Sequence, residues 1–370
     1  METYKTLYPR VCAFENLYRA YRAARKGKRG KEPVAVFERE QERELLQLQA
    51  ELLAESYTPG PYHSFYIHEP KRRLISAAPF RDRVVHHALV NVVEPLWERR
   101  FIFDSYANRV GRGTHRALDR CQQFARRHRY ALQCDLKQFF PSIDHTILRG
   151  ILARHIADEA ALRLCDKIIA SGVGVLSEAY DMVWFPGDDL LAALCPRGLP
   201  IGNLTSQFWA NVYLDPFDHF VKRELKCPAY LRYVDDFIVF GNDKIQLHEW
   251  RAAIIAKLAE LRLSLHASRA QVFPVDAGIP FLGFQVYPAH RRLKRRKGVA
   301  FQRRFKQLVE QLGAGEIDLE RLHASVRGWV NHVRYGDTYG LRRAILGQWT
   351  LFAPVRNPAS RRSRVSASAH

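Results

Sequence analysis

The sequence predicts an α+β protein, with strands and helices mixed through the middle of the chain and basic helical segments on both sides. Three observations predict it. Two apolar strand-like runs, Tyr130-Ala-Leu-Gln-Cys134 and the stretch from Tyr230 to Phe240, each adjoin or contain acids. Helical spacing of apolar residues recurs between and around them. The third observation is charge: 58 Lys and Arg against 38 Asp and Glu leave a net charge of +20 on 370 residues. An apolar content of 47% is ordinary for a folded chain and excludes wholesale disorder. The length suggests two to three domain-sized units. Excess like charge opposes compaction, so it points to a polyanionic partner.

The other function classes fall away. No stretch of about 18 residues is apolar and free of charge, so no membrane span is expected. The N-terminal segment lacks the apolar block of a signal peptide. Cys12, Cys121, Cys134, Cys165, Cys195 and Cys227 are scattered with no CxxC pair, which favours a reducing cytosol over a disulfide framework. There is no HExxH and no Cys/His cluster, so no zinc is expected. Nucleic acid is the leading partner.

The elements follow in order. Residues 11–60 read as helical, with Leu45, Leu48 and Leu52 at helical spacing. The basic run at 22–31 breaks that region, either as a solvated loop or as an arm touching phosphates. Pro59-Gly60-Pro61 marks a turn. Residues 62–75 look strand-like. Residues 79–100 look helical, with Val84, Val85, Ala88, Leu89 and Val92 on one face. A strand and turn at 130–143 precede a helical run at 145–172 and an irregular segment at 173–197. A helix over 203–225, an apolar hairpin over 230–240 and an amphipathic helix over 246–263 come next. A short strand is expected at 281–287 and a basic linker at 290–297. In the helical C-terminal part, Leu319, Leu322, Val326, Trp329 and Val333 repeat at helical spacing. The Pro/Ser/Arg-rich tail, 351–370, reads as disordered.

Chemistry concentrates in Tyr233-Val234-Asp235-Asp236. Unpaired carboxylates inside a strand cost several kcal/mol each, whereas a tight turn can hold them and metal ions can compensate them. A surface Asp-Asp turn is the alternative, since turns favour Asp. Asp135 ends the other strand-like run, one hundred residues upstream. Carboxylates at the ends of neighbouring strands could hold two Mg²⁺ ions for phosphoryl transfer. Gly187-Asp188-Asp189 lacks apolar strands on both sides and reads as a loop.

These residues resemble the palm of a reverse transcriptase, with YVDD between apolar strands and an upstream Asp in DLKQFFPSIDH. The resemblance covers roughly residues 10–350. Lys71-Arg72-Arg73-Leu74-Ile75 with the stretch from Ala78 to Leu89 is similar to a first fingers motif. The stretch Phe103–Arg109 with Gly111–Thr114 is similar to a second, and Phe281-Leu282-Gly283-Phe284 to a primer grip. The block Arg197-Gly-Leu-Pro-Ile-Gly-Asn-Leu-Thr-Ser-Gln207 is similar to reverse transcriptases of diversity-generating retroelements, within a superfamily that includes group II intron-like and retron-like bacterial enzymes. Most related enzymes carry Gln where this chain has Ile201, and many carry Ser-Pro where it has Ser206-Gln207.

The resemblance implies a right-hand polymerase: an N-terminal helical extension and fingers over 1–128, a palm of antiparallel sheet and helices over 129–290 with an irregular insertion at 173–197, and a helical thumb over 291–350. No ribonuclease H domain is expected. Asp135, Asp235 and Asp236 become the catalytic, metal-binding acids, the Leu136 carbonyl a further ligand, and Mg²⁺ the cofactor, two ions, with Mn²⁺ as a substitute. Lys71, Arg73, Arg109, Phe140, Ile201 and Gln207 become the nucleotide-binding set. Arg73 would grip triphosphate bidentately. Phe140 would exclude a ribose 2′-hydroxyl, with one of Phe139 and Phe140 in the core. Arg269 stands where related chains often carry Lys. Asp82, Asp144 and Asp218 read as caps and ion pairs, Asp82 as a salt-bridge hub between Arg81 and Arg83.

The implied function is RNA-directed DNA synthesis, copying a template-repeat RNA into adenine-mutagenised cDNA. Its partners would be template RNA, the RNA–DNA hybrid, dNTPs and a small basic oligomeric accessory variability protein, with no membrane. The setting would be the cytoplasm, with a bacterial, archaeal or phage gene. Another role, in a retron, an intron or antiphage defence, and an inactive RNA-binding scaffold are the alternatives.

Overall fold

A computed structural model of the chain describes residues 4–68 and 72–347, and these fall into two compact units divided between Pro274 and Val275. The boundary lies ahead of the expected palm–thumb boundary at 290.

In the first unit the helical region resolves into α1 (Tyr8–Cys12), α2 (Phe14–Ala24), α3 (Glu32–Arg39) and α4 (Gln41–Leu53). Leu45, Leu48 and Leu52 are buried, as their spacing requires. The basic break after α2 is tethered by an Arg25–Glu38 ion pair. The strand-like run at 62–75 is an antiparallel hairpin, β1 (His63–Ile67) and β2 (Arg73–Ala77), with Phe65 opposite Ile75. Then comes α5 (Phe80–Glu98), whose expected apolar face is buried against α2 and others.

Asp82 corrects one expectation. Its carboxylate accepts from the Tyr57 hydroxyl at 2.8 Å and the Gly60 amide at 2.8 Å, while Arg81 pairs with Glu51 instead. It anchors the Pro-Gly-Pro turn by hydrogen bonds rather than gathering salt bridges. Burial raises its pKa.

Helix α6 (Thr114–Ala125) was not foreseen, because its Arg, His, Asp and Gln residues mask a narrow apolar stripe of Ala117, Leu118, Cys121 and Phe124. β3 (Tyr130–Asp135) and α7 (Phe139–Ser142) follow. The single helical run expected at 145–172 is instead α8 (His145–Ala153) and α9 (Glu159–Ala170). The break falls where Asp158 caps α9 and also accepts from the amides of Leu7 and Tyr8. Asp144 caps α8 as expected. The segment at 173–197 holds only short turns of 3₁₀ helix. α10 (Leu204–His219) runs on into a π turn at Phe220–Glu224.

β4 (Tyr230–Tyr233) and β5 (Asp236–Gly241) form the expected hairpin, followed by α11 (Lys244–Glu260) and a four-residue strand missed by the sequence reading, β6 (Gln271–Pro274). These strands build one antiparallel sheet in the order β4-β5-β3-β6. Its core includes Leu132, Cys134, Tyr230, Phe237 and Val239 with residues of the surrounding helices.

The second unit corrects two expectations. Residues 281–287 are two strands, β7 (Ile279–Phe281) and β8 (Phe284–Val286), joined at Leu282-Gly283. Both turn residues have positive φ, 45° and 90°, the conformation that matches the twist of a two-residue hairpin. The basic stretch at 290–297 is not a linker. It forms β9 (Arg291–Leu293) and the first turn of α12 (Arg295–Gly313). α13 (Leu319–Val333) and α14 (Tyr339–Leu346) complete the unit. Its helical core joins Phe301, Phe305, Leu308, Leu312, Leu322 and Ile345, with the Phe301 and Trp329 rings stacked 4.0 Å apart. Leu322 and Val333 of the expected stripe are buried, whereas Leu319 is exposed. The tail expected at 351–370 lies outside the described residues.

Candidate active site

The site forms at one end of the four-stranded sheet. β4 and β5 are joined by a two-residue turn, Val234-Asp235, and Tyr233 pairs with Asp236 across it. Val234 has φ +58°. A β-branched side chain rarely tolerates that conformation, which costs of order 1–3 kcal/mol and persists only where its surroundings enforce it. On the neighbouring strand, Asp135 is the register partner of Asp236. Directly opposed residues project from the same face of a sheet, so these two carboxylates share one face at the strand ends. The Leu136 amide donates to the Asp235 carbonyl at 3.2 Å, fixing the turn against β3. Asp135, Asp235 and Asp236 are each half-buried.

The backbone beyond Asp135 is equally constrained. The His266 amide donates to the Asp135 carbonyl at 2.9 Å, and the Lys137 amide to Ser264 at 2.8 Å. This brings up two side chains. The Arg269 guanidinium pairs with the Asp135 carboxylate, and His266 Nε2 lies 4.0 Å from the same oxygen. Sequence position alone assigns Arg269 no partner and does not mark His266. Both lie more than 130 positions from Asp135, with no local pattern to link them.

The donors suit a hard cation. Carboxylates and backbone carbonyls are the ligands Mg²⁺ or Mn²⁺ prefers. Among the described residues no group of three or more His, Cys, Asp or Glu is already closed around a metal position. The cation facing Asp135 is Arg269, so the carboxylate is set to meet positive charge. Its neighbour Cys134 is buried and its thiol is pushed up to about 12, leaving it unreactive.

The nucleotide-side expectations divide. Arg73 opens β2 and is exposed. Ile201 is tied to the same strand, since its carbonyl accepts from the Ser76 amide at 2.8 Å. Asn203 reinforces the tie by donating to the Ser76 carbonyl at 2.8 Å and accepting from the Ala78 amide at 3.0 Å. Gly202 between them has φ +116°, and a Cβ there would lie 2.8 Å from Ile75 Cγ2. The loop carrying Ile201 and the strand carrying Arg73 are thus stitched together. Phe139 is buried and Phe140 half-buried in α7. The Phe140 carbonyl accepts from the Leu199 amide at 3.0 Å, which ties α7 to the same loop. Gln207 is exposed on α10. Lys71 lies outside the described residues.

Arg109 is placed elsewhere. Its side chain is 3% exposed and pairs with Glu98, and it donates to the carbonyls of Ile102 and Ser105 at 2.7 and 2.9 Å. It clamps the strap at 102–109 onto the fold, so the expectation of nucleotide contact gives way to a structural one. Phe281 and Phe284 are fully buried within the second unit, which leaves Leu282-Gly283 as the presenting tip of that hairpin.

The other Asp-Asp pair, Asp188-Asp189, lies in a loop, as expected. Asp188 accepts from both Arg262 terminal nitrogens at 2.8 and 2.9 Å, and the guanidinium lowers its pKa. Asp189 caps a short 3₁₀ turn.

A profile of the family described as "Reverse transcriptase (RNA-dependent DNA polymerase)" matches residues 67–286, more than half of the chain. Protein YkfC of Escherichia coli (strain K12) is 27% identical over 298 residues, covering 68% of this chain and 72% of that protein. The group II intron-encoded protein LtrA of Lactococcus lactis subsp. cremoris is 26% identical over 212 residues, covering 56% of this chain and 33% of its own length. Among solved structures, a telomerase from Candida albicans with a fragment of telomeric RNA aligns at TM-score 0.43 and 11% identity, over 81% of this chain and 58% of that one. The chain spans only a third of LtrA. Among the described residues no helix is long and apolar enough to cross a membrane.

Proposed function

The chain belongs to the reverse transcriptase (RNA-dependent DNA polymerase) family, with the α+β fold of a right-hand polymerase, and we propose that it copies RNA into DNA at the β4–β5 turn. The observation that carries this reading is the register pairing of Asp135 with Asp236 beside Asp235, at a strained turn inside the matched segment. Asp135, Asp235 and Asp236, with the Leu136 carbonyl, are the residues that would hold divalent metal. Bound metal there would supply charge stabilisation for attacking and leaving phosphate oxygens. Arg73, with Lys71, grips the incoming triphosphate through charge-assisted hydrogen bonds. Phe140 presents an aromatic face where a 2′-hydroxyl would clash. Ile201 and Gln207 line the nucleotide side, and the Leu282-Gly283 tip acts as primer grip. Arg269, paired with Asp135 in this structure, would be free to meet triphosphate oxygens once that carboxylate held metal. The fingers are assigned to 1–128 and the palm to the stretch from 129, while the thumb helices belong to the second unit, which begins at Val275 rather than at 291.

The finer reading is a diversity-generating retroelement enzyme. It copies a template-repeat RNA into cDNA mutated at template adenines, assisted by a small basic oligomeric accessory protein. The block from Arg197 to Gln207 supports it, with Ile201 in place of a hydrogen-bonding Gln. An intron-type role is the second reading, favoured by the likeness to an intron-encoded protein. Two near-identical repeats beside the gene, differing mainly at adenines of one copy, separate the two. Finding none would favour the intron-type role.

The basic test is primer extension by the full chain with dNTPs on an RNA template in Mg²⁺. Extension is expected. RNA binding without extension in Mg²⁺ or Mn²⁺ would leave only an RNA-binding scaffold.

A further inference from the structure

Arg232 lies one residue before the YVDD run, and its side chain is 0% exposed. Its strand neighbours Tyr230 and Leu231 are equally buried. A guanidinium in such a place is tolerable only if its donors are met, so its partners define its purpose. Nε and Nη2 hold the two Asp218 oxygens at 2.8 and 2.6 Å in a bidentate pair. The Tyr230 hydroxyl donates to the same carboxylate at 2.6 Å. Burial alone would lower the Arg232 pKa, but the Asp218 carboxylate outweighs it and leaves it raised. Those contacts alone would satisfy an ion pair.

The remaining nitrogen does something else. Nη1 donates to the Asn211 side-chain oxygen at 3.1 Å and to the Val234 carbonyl at 3.0 Å. The Val234 carbonyl belongs to the peptide that joins the strained residue to Asp235. Fixing that carbonyl therefore fixes the direction in which Asp235 leaves the turn. The clamp is itself rigid. Asn211 donates to the Ala107 carbonyl at 2.9 Å. The Arg232 peptide is held on both sides by the 104–107 strap, through the Asp104 carbonyl at 2.9 Å and the Tyr106 amide at 3.0 Å. Arg109 secures that strap from beneath.

We infer that Arg232 is a positioning residue for catalysis: its guanidinium, anchored on Asp218 and Asn211, holds the Val234 peptide in its left-handed conformation so that the turn carboxylates face Asp135. The inference rests on reading this turn as the polymerising centre. It explains why a β-branched residue can occupy a position suited to glycine. It also explains why an arginine is used. A lysine ammonium could pair with Asp218 but could not span Asp218, Asn211 and Val234 in fixed geometry.

The test compares the full-length wild type with Arg232→Lys and with the double variant Arg232→Lys/Val234→Gly, by single-turnover primer extension on RNA. Arg232→Lys should lower kcat by about 10- to 100-fold, because misplacement on the order of 1 Å at a reacting centre has effects of that size. Its KM for dNTP and its RNA affinity should stay within about twofold of wild type, since neither depends on the turn peptide. Adding Val234→Gly should recover several-fold of that loss, because glycine reaches positive φ unaided. Full kcat in Arg232→Lys would overturn the inference. So would a loss that Val234→Gly fails to relieve in a variant that melts like wild type. If Arg232→Lys does not fold, Asn211→Ala serves instead: it leaves the Asp218 pair and removes one anchor of Nη1. It should lower kcat several-fold at unchanged KM, and an unchanged kcat would again overturn the inference. A wild type without extension would sink the polymerase reading itself; an active wild type with an unimpaired Arg232→Lys sinks only the positioning role.

Discussion

The chain carries the same dipeptide twice, Asp188-Asp189 and Asp235-Asp236, and the fold uses the copies for opposite ends. The first lies in an irregular segment, where Arg262 takes one carboxylate and backbone amides of a 3₁₀ turn take the other. These contacts hold the loop in place, Arg262 tying it to the end of α11. The second lies where two apolar strands meet, on a turn held in strain, with a third acid across the register on the next strand. Acidic side chains alone say little. Their meaning comes from the backbone that places them and from whether nearby groups organise the loop or aim the acids together.

That contrast can be broken most forcefully at its acids. Asp135→Asn should lower the extension rate by about a thousandfold or more, as losing a metal-binding carboxylate removes several kcal/mol of transition-state stabilisation. Asp188→Asn, measured beside it, should leave the rate unchanged and lower the melting temperature slightly. Equal losses in both would erase the distinction between the two pairs.

The neighbours of the turn sharpen it next. Phe140→Ala should raise the ratio of ribonucleotide to deoxynucleotide incorporation about tenfold or more, since a steric block can withhold more than one hydrogen bond's worth of binding. An unchanged ratio would return Phe140 to core packing. Ile201→Gln should reduce errors opposite template adenines several-fold, because one restored hydrogen bond contributes about 1 kcal/mol. Sequencing of cDNA products reads this directly, and an unchanged error spectrum would make Ile201 a packing residue.

The remaining effect bears on stability rather than on synthesis and concerns α5. Burial lowers the pKa of His86 from 6.5 to about 3, with a lesser contribution from His87. Burial likewise lowers His87 to about 4. Both are neutral in the folded chain at pH values where the unfolded chain takes up protons. Their stability is therefore fully present above about pH 6.5 and is lost as pH falls from there towards 3 or 4. His86→Leu should flatten the fall in unfolding free energy between pH 6 and 4 by up to about 1.4 kcal/mol per pH unit. Denaturant titrations at several pH values check this, and an unchanged slope would remove His86 as the source.

Much of the site was legible because its signals are local. The apolar flanks of Tyr233-Val234-Asp235-Asp236 announce a hairpin, and Asp135 ends a strand that can lie beside it. Asp144 and Asp218 were readable as cap and ion-pair residues. What stayed hidden depends on distance along the chain. Arg269 reaches Asp135 across 134 positions, and nothing near Arg232 names Asp218 or the Val234 carbonyl as its partners. Arg109 sits in a motif similar to a fingers block, yet its position under the strap turns it into a clamp. Composition misled at residues 290–297, where consecutive basic residues look like a linker. The helical spacing of Phe301, Phe305, Leu308 and Leu312 just beyond shows that a helix begins there. At residues 281–287 an apolar run concealed a turn, because Leu282 takes the positive φ that Gly283 alone would have advertised.

The most direct measurement is RNA-templated dNTP incorporation in Mg²⁺ by the wild type and Asp235→Asn, with RNA affinity measured on the same preparations. The account predicts synthesis by the wild type that a chelator stops, none by Asp235→Asn, and equal RNA binding by both. Undiminished synthesis by Asp235→Asn would contradict it.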